Sequence, residues 1–304
     1  MPGPILAIDG TGLLVRCNRA GRQTGLHANG TRTGPLLLFI NSVARLIRCY
    51  QPSYVLVALD GLHARDWRRS LVPSYKADRP DPPDRQSAEY ELALTFLGAA
   101  GIGFLSYDGY EADDVIGYVW RQRRYNRLDI PMVIASDDGD LHQLVGDGVR
   151  QVNMNGYAGP VTTEDWVLAK YGCEPYRLSL LKAVMGDVSD NVKGIPGVGP
   201  VKALKLLTQA QWAIGRIEHK ALAESSVLER EILLNEDIFN LRGPIHAIWM
   251  EPGMDRYPLW TGMAWEEENL PPLADHRHPA ELRAFLDRYE LGSVSRRLEA
   301  GRLW

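Results

Sequence analysis

Cysteine is almost missing from this 304-residue chain. Its three thiols, Cys17, Cys49 and Cys173, are odd in number, far apart and never in a CxxC pair, which argues against a disulfide framework and a zinc site. A long apolar run is missing too: no stretch approaches the roughly 20 apolar residues of a membrane helix. Met1 to Asp9 carries no basic leader, so a cytoplasmic protein is expected. Nor is there an excess of positive charge, because 34 Lys and Arg against 38 Asp and Glu leave a formal charge of -4. That excludes a globally basic coat, and any contact with nucleic acid must be local. No GxSxG elbow occurs, and GVGPVK at 197–202 is neither a P-loop nor a dinucleotide fingerprint. His63 and His142 are isolated and read as surface or packing residues.

What the chain has in quantity is acid at the ends of strands. ILAID closes on Asp9, YVLVALD closes on Asp60, and PMVIAS runs into Asp137 and Asp138. Each is a short β-rich apolar run. Pro35 to Tyr50 repeats apolar residues at roughly the helical period, and Val149 to Met154 reads as a further strand. Strands alternating with helices, each delivering acid at its C-terminal end, predict an α/β fold: a central, mostly parallel sheet flanked by helices, with ligands at that edge. Gly109 to Leu144 organises the rest, placing Glu111, Asp113 and Asp114 at a helix start and Asp138 and Asp140 at the mouth of a strand. Beyond Thr162 the pattern is helical only, over Thr162–Tyr171, Tyr176–Met185, Val201–Leu207, Ser226–Asn235 and Ala280–Tyr289. The chain therefore divides into an α/β core, 1–161, and a helical region, 162–304, sharing an interface.

Asp9, Asp60, Glu111, Asp113, Asp114, Asp138, Asp140, Asp187 and Asp190 all fall at strand ends, helix starts or turns, without enough Lys or Arg beside them in sequence to form simple ion pairs. Like charges packed together repel unless protonated or metal-bound. A single member such as Asp114 reads equally well as a helix cap; the set as a whole does not. Hard oxygen ligands without His or Cys point to magnesium or manganese. Two such ions about 3.5–4 Å apart support in-line displacement at phosphorus, which makes phosphodiester hydrolysis the expected chemistry.

Arg65, Arg68, Arg69, Lys76 and Arg79 crowd a segment that breaks at Pro80, Pro82 and Pro83. It reads either as a solvated basic helix with a Pro-rich connector or as a mobile basic bridge over the acids. Within it Trp67 is the candidate for stacking on a base. A helix capped by Asp84 and Gly101 should follow. In GDVSDNVKGIPGVGPVKALKLL, Gly197 and Gly199 make a tight turn before a helix whose exposed N–H groups suit a phosphate, with Lys202 and Lys205 alongside. A plain interhelical turn would look similar, but Asp187 and Asp190 lie just upstream and would tether the turn to the acids.

These stretches together resemble the 5′ nucleases: the 5′ to 3′ exonuclease domain of bacterial DNA polymerase I, the stand-alone phage 5′ nucleases and the flap endonucleases. The resemblance rests on six ordered motifs, AIDG, VALDG, RRSLVPSYKADRP, GYEADDVIG, SDDGDLHQL and GDVSDNVKGIPGVG, with LRAFLDRYELGSVSRRL near the end. It implies a PIN-like core with a helical arch at about 61–90 and a helix-three-turn-helix at about 176–208. It implies that Asp9, Asp60, Glu111, Asp113 and Asp114 hold one metal, and Asp138, Asp140, Asp187 and Asp190 hold or tune a second. Lys76 and Arg79 would reach the scissile phosphate. Asp138 and Asp187 are the acids on which cutting should most depend. Arg16, Arg68, Tyr75, Gly197, Gly199, Lys202 and Lys205 would meet DNA, and the carbonyls of Val192 and Ile195 would bind potassium.

The implied function is a structure-specific 5′ to 3′ exonuclease and flap endonuclease of replication and repair, free-standing since no polymerase follows Trp304. Its partners would be duplex DNA with a 5′ flap, overhang or RNA primer, and replication proteins. It would be a monomer of the bacterial or phage-infected cytoplasm, associated with the nucleoid. A branched-DNA binding protein that does not cut and a PIN-like ribonuclease are the alternatives. Val15 stands where the family often has an aromatic, and Asp137 is an extra acid without an assigned role.

Overall fold

The computed structural model describes residues 3–79, 87–125, 128–155, 159–242 and 279–304. β1 (Ile5–Asp9) leads directly into α1 (Gly10–Gly21), whose first turn is capped by Asp9 accepting from the Gly12 N–H at 2.8 Å. A small antiparallel pair, β2 (His27–Ala28) and β3 (Thr31–Arg32), precedes α2 (Gly34–Tyr50), which has Pro35 in its first turn. β4 (Tyr54–Asp60), the short α3 (Asp66–Leu71) and α4 (Ala88–Ala99) follow. Ser87 caps α4 by accepting from the Tyr90 N–H; Asp84, the expected cap, lies outside the described residues. Gly101 follows that helix at φ +65°, as a terminating glycine should.

β5 (Gly103–Tyr107), α5 (Ala112–Tyr125), β6 (Met132–Ala135) and β7 (Val149–Val152) complete the core sheet. All five of its strands run parallel, in the order β5-β4-β1-β6-β7. Residues alternate between its faces with the strand period of two. Leu6, Ile8, Val55, Val57 and Leu59 face α1, α2 and α4, while Ile5, Ala7, Leu56 and Ala58 face α5. The expected α/β architecture is thus present, with α1 and β5 as elements the sequence patterns did not announce.

The second region holds α6 (Glu164–Tyr171), α7 (Leu178–Met185), α8 (Pro200–Gln209), α9 (Lys220–Ala223) and α10 (Ser226–Phe239), packed round a core of their own. It is not purely helical: β8 (Gly186–Asp187) and β9 (Val192–Lys193) form a two-residue antiparallel hairpin. α11 (Pro279–Arg288) and α12 (Gly292–Glu299) return to the first region, where Leu282, Phe285, Leu286, Leu291 and Val294 join the core beneath α2 and α4. The β8–β9 hairpin closes so tightly that a Cβ at Gly194 would lie 2.3 Å from the Gly186 nitrogen and 2.5 Å from the Val184 carbonyl. Gly194→Ala should therefore destabilise the protein by about 1–3 kcal/mol through overpacking, read as a lower urea midpoint.

Candidate active site

Because β1, β4 and β6 are neighbours, their C-terminal ends bring Asp9, Asp60 and, just beyond β6, Asp138 to one edge, where the start of α5 adds Glu111 and Asp113. These five carboxylates line a single cavity of about 910 Å³. Asp113, Asp138 and Asp140 each offer an oxygen, and the three lie within 4.8 Å of one another. The crowding registers electrostatically. Burial, reinforced by Asp138 and Asp60, pushes the Asp9 carboxyl up to about 7. Burial, reinforced by Glu111 and Asp113, pushes Asp60 up to about 6. Their hydrogen bonds come from neutral donors: Ser136 Oγ to Asp9 at 2.8 Å, the Ala112 N–H to Asp60 at 2.9 Å, and the Asp140 N–H to Asp138 at 2.8 Å. Among the described residues none of Asp9, Asp60 and Asp138 has a basic partner.

Although too few Lys or Arg stand beside the acids in sequence to form simple ion pairs, the fold brings cations to the rest of the site. Arg68 is 1% exposed. Its guanidinium reaches Glu111 Oε2 at 2.5 Å, Asp114 Oδ1 at 2.7 Å and Asp113 Oδ2 at 3.2 Å, and its Nε donates to the Ile238 carbonyl. Tyr75, also buried, donates its hydroxyl to Glu111 at 2.7 Å, and Lys76 Nζ pairs with Glu111 at 2.9 Å. Burial opposes the charge on Glu111, but Arg68 and Lys76 outweigh it and hold that carboxyl down to about 2. Asp114 also accepts from Trp67 Nε1 at 3.2 Å and from the Glu111 N–H at 3.0 Å; it orders the start of α5 and does not line the cavity. The basic segment as far as Arg79 is thus not a simply solvated helix, since much of its charge is turned inward onto acids; Pro80, Pro82 and Pro83, where the bridge was expected to continue, lie outside the described residues. Trp67, expected to stack on a base, is instead packed against Tyr110 and Arg68.

The remaining acids lie on the second region's side. Lys182 of α7, which sequence reasoning missed, pairs with Asp140 and, at 2.9 Å, with Asp187. Burial works against Asp187, but hydrogen bonds from Lys182 and Ser189 bring it down to about 2. Asp190 accepts from Arg79 at 3.1 Å, and its carbonyl accepts from the Lys76 N–H at 2.7 Å. The base of the basic segment is therefore joined to the β8–β9 hairpin. Val192 lies in β9, and the Ile195 carbonyl accepts from the Val198 N–H. At the following turn Gly197 has φ +72°, and a Cβ at Gly197 or Gly199 would meet nothing within 4 Å. No side chain caps α8, and Lys202 and Lys205 lie in its first two turns. Arg16 is held by Asp137 at 2.9 Å and Asn155 at 2.6 Å, which gives Asp137 a role.

A model of the 5′-3′ exonuclease, N-terminal resolvase-like domain, matches residues 4–172. The chain belongs to this family. A 5′-3′ exonuclease of Bacillus subtilis is 31% identical over 226 residues, covering 72% of this chain and 74% of that protein. One of Aquifex aeolicus is 35% identical over 181 residues, covering 59% of this chain and 61% of that one. The DNA polymerase I relatives are far longer: the chain spans 22% of the one from Chloroflexus aurantiacus, at 34% identity over 69% of this chain. In fold, this family member is similar to the T5 D15 protein crystallised with metal ions, with a TM-score of 0.62 and 17% identity over 93% of this chain and 98% of that one.

Proposed function

We propose that the chain is a divalent-metal-dependent, structure-specific 5′ to 3′ exonuclease and flap endonuclease. One observation carries this reading: Asp113, Asp138 and Asp140 converge within 4.8 Å, at a cavity where Asp9, Asp60 and Asp138 have no basic partner among the described residues. A set of carboxylate oxygens without His or Cys fits magnesium or manganese. Asp9, Asp60, Glu111 and Asp113 would hold one ion, and Asp138, Asp140 and Asp187 a second, with Asp114 and Asp190 ordering their neighbours. Bound there, the ions would supply an activated water and stabilise the leaving oxygen.

The protein's own groups do the rest. Lys76 and Arg79 line the same cavity and can neutralise charge building on the phosphate. Arg16, fixed by Asp137, would contact the substrate beside Asp138. The bare backbone of Gly197 and Gly199, the uncapped N–H groups of α8, and Lys202 and Lys205 suit a duplex phosphate backbone. That element would act as a helix-three-turn-helix, with the carbonyls of Val192 and Ile195 as its potassium ligands.

A second reading, a branched-DNA binding protein that does not cut, draws on the pairing of Glu111, Asp140 and Asp187 with Arg68, Lys76 and Lys182. One experiment separates the two. Labelled 5′-flap DNA, blunt duplex and single-stranded RNA are incubated with magnesium and then with EDTA. Flap cleavage that EDTA abolishes is the expected result, whereas binding without cleavage favours the second reading and preferential cutting of RNA would point to a ribonuclease.

A further inference from the structure

The cavity above the acids has two basic walls, and they differ in how much of their charge is already spent. On one wall Lys76 is paired with Glu111, Arg79 with Asp190, and Arg65 lies 3.7 Å from Glu111. α1 lines the same cavity through Val15, Asn18, Arg19 and Arg22. Their spacing, 15, 18, 19 and 22, places them along one face of the helix. Arg19 and Arg22 are exposed and, among the described residues, neither has an ion-pair partner. Asn18 Oδ1 is buried without a hydrogen-bond partner. Arg16, one turn earlier on the helix, is committed to Asp137 and Asn155.

We infer that Arg19 and Arg22 form a second phosphate subsite, which holds the single-stranded part of the nucleic acid as it runs past the acidic floor. The inference rests on the nuclease reading and adds to it a place for the strand away from the duplex grip. A phosphate that enters here breaks no existing ion pair, whereas one at Lys76 or Arg79 must compete with a carboxylate. Guanidinium forks suit phosphate oxygens, and three residues of helix separate the two forks by a rise of about 4.5 Å. Ser87 and Glu89, at the start of α4, line the cavity too. Glu89 repels phosphate and can accept from a base amine, so the backbone is directed to α1 and the bases toward α4. Isolated arginines on a helix are most often only solvated; here they border a cavity large enough for a nucleotide.

The test compares the wild type with Arg19→Gln/Arg22→Gln and Arg19→Lys/Arg22→Lys. Binding is followed by fluorescence anisotropy across a salt series, with calcium as the divalent ion and the oligonucleotides checked for intactness. The probes are a blunt hairpin and the same hairpin with a short 5′ overhang ending in phosphate or hydroxyl. For the overhang, the Gln variant should lose about 0.7 from the salt slope for each single-strand phosphate contact removed, and its affinity should fall by roughly tenfold. The Lys variant should keep most of both, and blunt-hairpin binding should not change.

Loss with both overhang ends identifies an internal phosphodiester as the ligand; loss only with the 5′-phosphate identifies a terminal phosphate. An unchanged slope, or equal loss on the blunt hairpin, overturns the subsite. If wild-type protein failed to cut flap DNA in magnesium, that would count against the nuclease reading instead, and the binding comparison would still stand as the test of the subsite.

Discussion

Arg68→Ala is expected to lose about 3–5 kcal/mol of stability, because removing one side of a buried ion pair leaves its partners charged and dry. For a chain of this size that corresponds to a fall in Tm on the order of 10 °C, measurable by calorimetry in EDTA. Three carboxylates, Glu111, Asp113 and Asp114, pair with this one guanidinium, and Glu111 pairs with Lys76 as well. Arg68→Lys should recover only part of the loss, since an ammonium is a point charge and cannot fork among three acids. The pH dependence gives a second check with a defined sign. In the wild type the folded-state carboxyl of Glu111 is lowered from 4.5 to about 2, so its contribution is complete above about 4.5 and is lost as pH falls toward 2. In the alanine variant the stranded acids take up protons more readily than in the unfolded chain, so its deficit should shrink as pH falls. A deficit that does not depend on pH would mean that packing, not charge, is what Arg68 supplies.

Asp138→Asn should reduce kcat for flap cleavage by about a thousandfold or more while leaving duplex affinity within about twofold. Asp138 lines the cavity and belongs to the close trio with Asp113 and Asp140. Losing one hard ligand removes several kcal/mol of charge stabilisation, and each 1.36 kcal/mol is tenfold in rate. The proposed duplex grip, on the turn before α8, uses none of these atoms. Near-normal turnover would move the metal site elsewhere. A parallel loss of duplex binding would mean that the acids and the turn work as one unit.

The strand-end acids were legible because a short β-rich run closing on Asp has few other readings, and ILAID and YVLVALD are strands over the residues expected. α1 was not: it opens Gly-Thr-Gly, poor helix formers, and is held by the Asp9 cap and by packing against α2. β5 has glycine at its first residue and lies among partly buried positions, so it lacked a clear alternation. The counter-ions were hidden for a different reason. Arg68 meets Glu111 and Asp114 across 43 and 46 residues, and Lys182 meets Asp140 across 42. Charges that look unbalanced along a chain can be balanced once it folds, and Asp9, Asp60 and Asp138 remain without a basic partner among the described residues because no such long-range cation reaches them.

The return of α11 and α12 to the first layer has a consequence for synthesis. Leu303 lies in the same core as Leu6, and the Leu303 carbonyl accepts from Arg48 of α2. Roughly 180 residues are translated between the end of α4 and the start of α11, on the order of 10–40 s at about 5–20 residues per second. During that interval the side of Phe96 that Phe285 and Trp304 come to cover lacks that cover, while its contact with Phe39 of α2 can already form.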